Sequence, residues 1–148
     1  AWMALNNMGM VLLLENKPDA ALPYFEKSMQ IHPSPECLYN LAMVNLGKGN
    51  ALAALEYSRR SAAGWSQKED PQLMVANCLW ALNREPEAVE ALREGLRKLP
   101  NSARMHVALA KALDQLKLPG AVEECEAALR LEPRNKEALL LRQGLGPR

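Results

Sequence analysis

An all-α fold of stacked helical hairpins is what the 148-residue sequence predicts, and three observations predict it. Aromatic residues make up 5% of the chain and no β-branched run alternates with polar residues, so there is little from which to build a sheet. Prolines punctuate the chain periodically, at Pro18, Pro86 and Pro119 and again at Pro33, Pro100 and Pro133. On a spacing of 33 to 34 residues an apolar column, Met8, Leu41, Val75 and Leu109, is followed at once by a column of the smallest residues, Gly9, Ala42, Ala76 and Ala110. Two more small columns keep the period: Ala21, Ala54, Ala88 and Ala121, then Ser28, Ser61, Gly95 and Ala128. Helices approach within about 8 Å only where facing side chains are small, so these columns mark antiparallel helix pairs. A plain bundle has a period of about 3.6 residues and no reason to repeat at this longer one.

The elements follow in order from the punctuation. Helix pairs are expected over 4–15 with 18–31, 36–46 with 51–63, 71–82 with 86–99, and 103–116 with 119–131. Pro18, Pro71, Pro86 and Pro119 suit a first turn, where the missing N–H has no intrahelical partner to lose. Pro23 falls deeper in its helix and is expected to tilt that end. Asn101 and Asn135 read as turn or N-cap residues ahead of the next helix. Between the helices of a pair, Phe25, Ser58, Leu92 and Cys125 meet Leu12, Asn45, Leu79 and Leu113, and Asn45 with Ser58 makes the second unit the poorest packer. The fourth unit is one residue short in its turn. Residues 136–145 form one last helix, a lid over an otherwise exposed apolar end. Leu139, Leu140 and Leu141 are too apolar for a solvating lid, so either a further unit follows or this face is sticky, and 144–148 reads as a frayed tail. The opening at Ala1, with Trp2 on a helix already under way, reads as a piece of something longer.

These columns resemble the tetratricopeptide repeat, whose pattern is W-x2-L-G-x2-Y, then A-x3-F, then P. The first unit carries the resemblance best, in Leu5, Met8, Gly9, Leu12, Ala21, Phe25 and Pro33. The bulky opening column, Leu5, Leu38, Gln72 and His106, never shows the family's Trp, and the second unit has Ser66 in place of its closing Pro. The resemblance spans 2–134 and implies an α-solenoid, a superhelix of helix-turn-helix units. One domain is expected, with repeats at about 2–34, 35–68, 69–102 and 103–134 and a capping helix at about 135–145.

The resemblance also implies a concave groove lined by the first helix of each pair. Three columns should face it: Asn6, Tyr39, Leu73 and Val107; Met10, Met43, Asn77 and Lys111; Leu13, Leu46, Trp80 and Asp114. Asn7 and Asn40 occupy equivalent places and can present both carbonyl and NH2 to a ligand's backbone, as in the asparagine ladder of some peptide-reading members, though Met74 and Ala108 break the ladder. Glu36 and Asp70 lie near one rim while Arg104 and Lys111 mark the fourth unit, so an extended ligand is expected to meet acid at one end and base at the other. Trp80 is the expected anchor, a large rigid surface of the type found at binding hot spots. The clamp that holds the acidic carboxyl-terminal tail of the major chaperones is not matched. Its Lys, Asn, Asn, Lys and Arg fall on Asn6, Met10, Asn40, Asp70 and Met74, of which only Asn40 fits, and Asp70 repels a carboxylate.

Composition bounds the remaining classes. Eighteen basic against seventeen acidic residues give net +1, far from the excess that draws nucleic acid or anionic lipid. No apolar run reaches the ~20 residues that cross a bilayer and no signal-peptide pattern opens the chain, so the expectation is a soluble protein without direct membrane insertion. Cys37, Cys78 and Cys125 are odd in number, form no CxxC pair and sit in apolar helical pattern, which reads as buried thiols in an intracellular, cytoplasmic setting. His32 and His106 fall in different units without partners at ligand or triad spacing, and Glu123, Glu124 and Glu126 read as a solvated face. No metal, nucleotide or nucleophile motif is present, so neither catalytic residues, bound metal nor cofactor is expected. The leading functional reading is a non-catalytic scaffold holding a peptide or protein segment in the groove. Its site residues are Asn6, Asn7, Met10, Tyr39, Asn40, Met43, Leu73, Asn77, Trp80, Arg104 and Lys111. The alternatives are a homo-oligomer assembled through the terminal helices, with Trp2 at one end and Leu139 to Leu141 at the other, or the substrate-positioning portion of a larger enzyme or secretion complex.

Overall fold

Every turn between the two helices of a pair is built the same way, and this fixes the architecture. The structure, a computed structural model, describes residues 1–146. The element order is α1 (Trp2–Leu14), α2 (Pro18–Ile31), α3 (Pro35–Gly47), α4 (Ala51–Gly64), α5 (Glu69–Ala81), α6 (Glu85–Lys98), α7 (Ala103–Gln115), α8 (Ala121–Leu131) and α9 (Lys136–Gly144), with no strand among the described residues. The odd-numbered helices α1, α3, α5 and α7 are each followed by a residue in the left-handed region, Asn16 (φ 59°), Gly49 (φ 83°), Asn83 (φ 56°) and Lys117 (φ 55°). The N–H groups that come next return to the last turn: Lys17 to the Leu12 carbonyl (2.8 Å), Asn50 to Asn45 (2.8 Å), Arg84 to Leu79 (2.9 Å) and Leu118 to Leu113 (2.8 Å). This is the Schellman closure, which satisfies carbonyls left over at a helix end and reverses the chain.

The second helix of each pair stops against a proline or a polar turn, and most of the first helices that follow are capped. Ser34, Ser102 and Asn135 accept the N–H of Cys37, Met105 and Ala138, satisfying a donor that the first turn leaves over. Asn135 is therefore the cap expected of it, while at α7 the cap is Ser102 and Asn101 lies in the turn. α5 begins at Glu69, so Pro71 sits third in its helix. α8 does not begin at Pro119 as expected. The shortened turn forces Gly120 to φ 109°, which only glycine adopts freely, and the helix starts at Ala121, leaving it 11 residues against the 14 of α2, α4 and α6. Pro23 lies inside α2. Of the tail expected at 144–148, Gly144 closes α9 and residues 147–148 lie outside the described residues.

The small columns sit at the closest contacts. A methyl group at Gly9 would stand 2.6 Å from the Phe25 ring, so the bare backbone of α1 is the floor on which Phe25 rests. Ser28 donates to the Trp2 carbonyl (2.8 Å) and Ser61 to the Pro35 carbonyl (2.7 Å), tying the ends of α2 and α4 to the starts of α1 and α3. The polar pair of the second unit is answered locally, Asn45 donating to the Leu41 carbonyl and Ser58 to the Leu55 carbonyl. Buried clusters run along the stack, Phe25, Leu41 and Val44 first, then Leu55, Cys78 and Leu79, then Leu92, Leu109 and Leu113. Neighbouring first helices touch, α3 against α5, α5 against α7 and α7 against α9, whereas among the described residues α2, α4, α6 and α8 pack on the first helices beside them rather than on one another. The stack therefore curves with the odd-numbered helices inside.

Candidate peptide-binding groove

Curvature places the inner face of α3, α5 and α7 on one surface, and the expected groove residues divide between that surface and the packing beneath it. Tyr39, Met43 and Leu46 on α3 are half-buried against the same cluster that Trp80 touches from α5. Leu73 is half-buried on α5, and Met10 and Leu13 lie half-buried on α1. Burial holds the Tyr39 hydroxyl above its ordinary pKa, Asp70 adding to the effect and Arg104 opposing it, which puts all three in one neighbourhood at the rim.

Three expectations are corrected by geometry. Asn7 and Asn40 do not present equivalent amides. Asn40 is 4% exposed and donates to the Asn6 side-chain oxygen (3.0 Å), while Asn6, 1% exposed, donates to Glu36 (3.2 Å), and Asn7 stands in solvent. Adjacent first helices lie close enough for the neighbouring amide to reach across, so Asn6 is the partner. The acid-to-base gradient is also absent. Arg104 binds Asp70 (2.7 Å) and Glu69 (3.0 Å), and Lys111 pairs with Glu137 of α9, so opposite charges on neighbouring helices neutralise each other. Val107, expected in the groove, is 2% exposed and packs with Ala103, Ala128 and Ala138 under α9.

What remains open is a cleft of about 270 Å³ between α5 and α7. Three expected residues converge on it: Asn77 and Trp80 from α5 and Lys111 from α7. Its floor is Ala76, Ala108 and Ala112 with Leu92 of α6 behind, and Gln115 closes one side. The floor is legible in the sequence only as small residues; small side chains that let helices approach also leave depth between them. Trp80 is partly exposed and packs on two successive core clusters while lining the cleft, so it is both a spacer between units and a wall of the site.

Neither histidine contributes to this surface. His32 stacks on Trp2 with ring centroids 4.7 Å apart, and His106 bridges Glu124 (2.6 Å) and the Pro100 carbonyl (3.1 Å) behind the groove. Among the described residues no cluster of three His, Cys, Asp or Glu side chains could hold a metal, and no helix is long and apolar enough to cross a membrane.

Models of the tetratricopeptide repeat match the sequence twice, over residues 3–32 and 69–112. The chain belongs to the tetratricopeptide repeat family. Its α-solenoid of helix-turn-helix units has the family's shape, and solved structures agree. A thermophilic TPR protein from Thermus thermophilus superposes with a TM-score of 0.78 at 25% identity, over 99% of this chain and 84% of that one. PilF of Pseudomonas aeruginosa gives 0.83 at 24% identity, over 97% and 67%. YrrB, a TPR protein with an unusual peptide-binding site, gives 0.80 at 19% identity, over 97% and 75%. No curated protein matches the sequence. Membership of this repeat family makes the chain a protein-interaction scaffold in general terms.

Proposed function

We propose that this chain is a non-catalytic scaffold that binds a peptide or protein segment along its concave face, with the α5–α7 cleft as the anchor pocket. The observation that carries the reading is the convergence of Trp80, Asn77 and Lys111 on an alanine-floored cleft. An apolar side chain of the ligand fills the floor against the Trp80 ring, Asn77 offers an amide to the ligand backbone, and Lys111 exchanges Glu137 for a ligand carboxylate. Tyr39, Met43 and Leu73 extend the apolar track toward α3, and no gross rearrangement is needed because the surface is preformed. The peptide-binding site named for YrrB, on the same fold, is in keeping with this reading. We read the chain as one domain of four repeats and a cap, working inside the cell, where its three buried thiols stay reduced.

The test avoids truncating Trp80, whose packing role would confound it. Twelve-residue peptides selected by display on the intact chain are titrated by fluorescence anisotropy against Ala108→Leu, which fills the cleft, and against Asn77→Ala and Lys111→Ala. Circular dichroism checks that each variant is folded. Ala108→Leu should weaken binding at least about tenfold, the loss of one buried apolar anchor. Peptides that bind all three variants like the parent place the site elsewhere.

A further inference from the structure

Away from the concave face, α4 and α6 pack on α5 rather than on each other, and a groove of about 510 Å³ runs between them on the convex side. Its floor is apolar, Val75 and Leu79 of α5 with Pro86 and Ala91 of α6. Two residues of the third unit open it. In the column Met8, Leu41, Val75 and Leu109 the shortest side chain is Val75, which is half-buried where Leu41 and Leu109 are fully covered. The residues just before Phe25, Ser58, Leu92 and Cys125 are Tyr24, Tyr57, Ala91 and Glu124, so the third unit carries a methyl group where the second carries a phenol ring. One unit back, Tyr57 of α4 lies half-buried on the cluster of Phe25, Leu41 and Val44 and closes the corresponding place. One unit on, Glu124 of α8 is held over α7 by His106 (2.6 Å). Both walls of the α4–α6 groove belong to units with a neighbour on each side, so its opening owes nothing to where the chain starts or stops.

The two walls carry opposite charge. α6 presents Glu87, Glu90 and Glu94 to the groove, three carboxylates on a stripe about 10 Å long at roughly 1.5 Å per residue. Each is paired with an arginine three residues away on its own helix, Arg84, Arg93 and Arg97, and all three pairs are exposed. Pairs of this kind contribute little and give up a partner readily. Of these arginines Arg97 alone lines the groove, which leaves the α6 wall net acidic. Opposite, Arg59 of α4 makes no ion pair among the described residues, and its charge acts on Glu87.

We propose that this groove receives a segment of a partner protein that supplies the missing aromatic. A tyrosine or phenylalanine side chain seats between Val75 and Ala91, as Tyr57 seats one unit back, with lysine or arginine beside it along the α6 stripe and an acidic residue toward Arg59. The basic residues share the Glu87, Glu90 and Glu94 carboxylates, whose oxygens have lone pairs to spare beyond their arginines. The groove thus selects a basic segment with one aromatic anchor. The concave face is not used, and this inference does not depend on the peptide reading there.

The probe is a short fluorescein-labelled peptide with a central tyrosine, lysines on one flank and a glutamate on the other, titrated against the full chain by fluorescence anisotropy. Its controls are the same peptide with the tyrosine replaced by alanine, and with the lysines replaced by glutamates. Saturable binding below about 1 mM is expected of the probe, and weaker binding of both controls. Ala91→Tyr, which installs the ring that the second unit has at Tyr57, should weaken binding at least about tenfold, the loss of one buried apolar anchor. Val75→Leu, which installs the side chain of Leu41 and Leu109, fills the same space from the floor and should act likewise, so the test stands even where one variant fails the circular dichroism check of folding. Glu87→Gln with Glu90→Gln and Glu94→Gln should weaken the lysine peptide severalfold and erase its advantage over the glutamate-flanked control. Ala108→Leu, in the concave cleft, should leave binding unchanged. The proposal is overturned if the parent shows no saturable binding, if the filled variants bind like the parent, or if lysine- and glutamate-flanked peptides bind the parent equally. It is equally overturned if Ala108→Leu abolishes binding, which would place the peptide in the concave cleft instead.

Discussion

Lys117 occupies a backbone conformation that the three equivalent turns give to Asn16, Gly49 and Asn83. A side chain in the left-handed region crowds the following carbonyl, a cost of roughly 1 kcal/mol that glycine avoids and asparagine reduces by local hydrogen bonding. Lys117→Gly should therefore raise stability by about 0.5–1 kcal/mol in urea denaturation, and unchanged stability would mean the Lys117 turn is unstrained. Gly9 argues in the other direction. Its close approach to Phe25 leaves no space for a methyl, so Gly9→Ala should cost about 1–3 kcal/mol by overpacking, read as a lower urea midpoint at constant slope. Both residues show how much is legible at this scale. Gly9 announces itself through the small column that Ala42, Ala76 and Ala110 continue. Lys117 gives no such signal, because nothing in lysine's chemistry marks a left-handed turn and only the count from Asn83 identifies it.

Helix starts differ in how they are capped, and the energetics follow. Ser34 accepts the Cys37 N–H at 3.2 Å, whereas α5 starts from Lys68, which has the extended backbone of a cap but no acceptor to offer. Ser34→Ala should lower stability by about 1 kcal/mol, and Lys68→Ser should return a smaller gain because Lys68 also lies over the Trp65 ring. Thermal unfolding followed at 222 nm checks both, and equal melting temperatures for parent and Ser34→Ala would show that the cap contributes nothing. Proline and small-residue punctuation makes most helices readable to within a turn. The start of α8 is not readable in this way, because a missing residue suggests a shorter loop, while the chain absorbs the loss by unwinding the helix as far as Gly120. The charges on the first helices are readable as a column but not as pairs, since the reach of Arg104 to Asp70 depends on how closely two helices lie side by side.

Taken whole, the molecule is a row of units in which each touches only its neighbours, and such arrays open from their ends. Cys37, Cys78 and Cys125 are distributed along it, on α3, α5 and α8, and all three are fully buried. Burial is the main reason that each thiol is held above its ordinary value of 9.0, with Ser28 opposing at Cys37, Ser58 at Cys78 and Arg142 at Cys125. The protonated form is the one the folded chain accommodates. Stability is therefore fully present below pH 9.0 and declines as the pH rises toward the folded-state values, because the unfolded chain releases those protons first. The same burial makes the thiols reporters of opening. Under native conditions at about pH 8 a disulfide reagent such as DTNB should react slowly at all three sites, since the thiolate is the nucleophile and needs exposure. Cys125 should react first. It lies on the helix that the short α9 covers, whereas Cys37 and Cys78 are enclosed by full-length helices on both sides. Mass spectrometry of partially labelled protein gives the order directly. Equal rates at the three sites would mean that the array opens as one cooperative unit and that α9 is as firmly seated as any other helix.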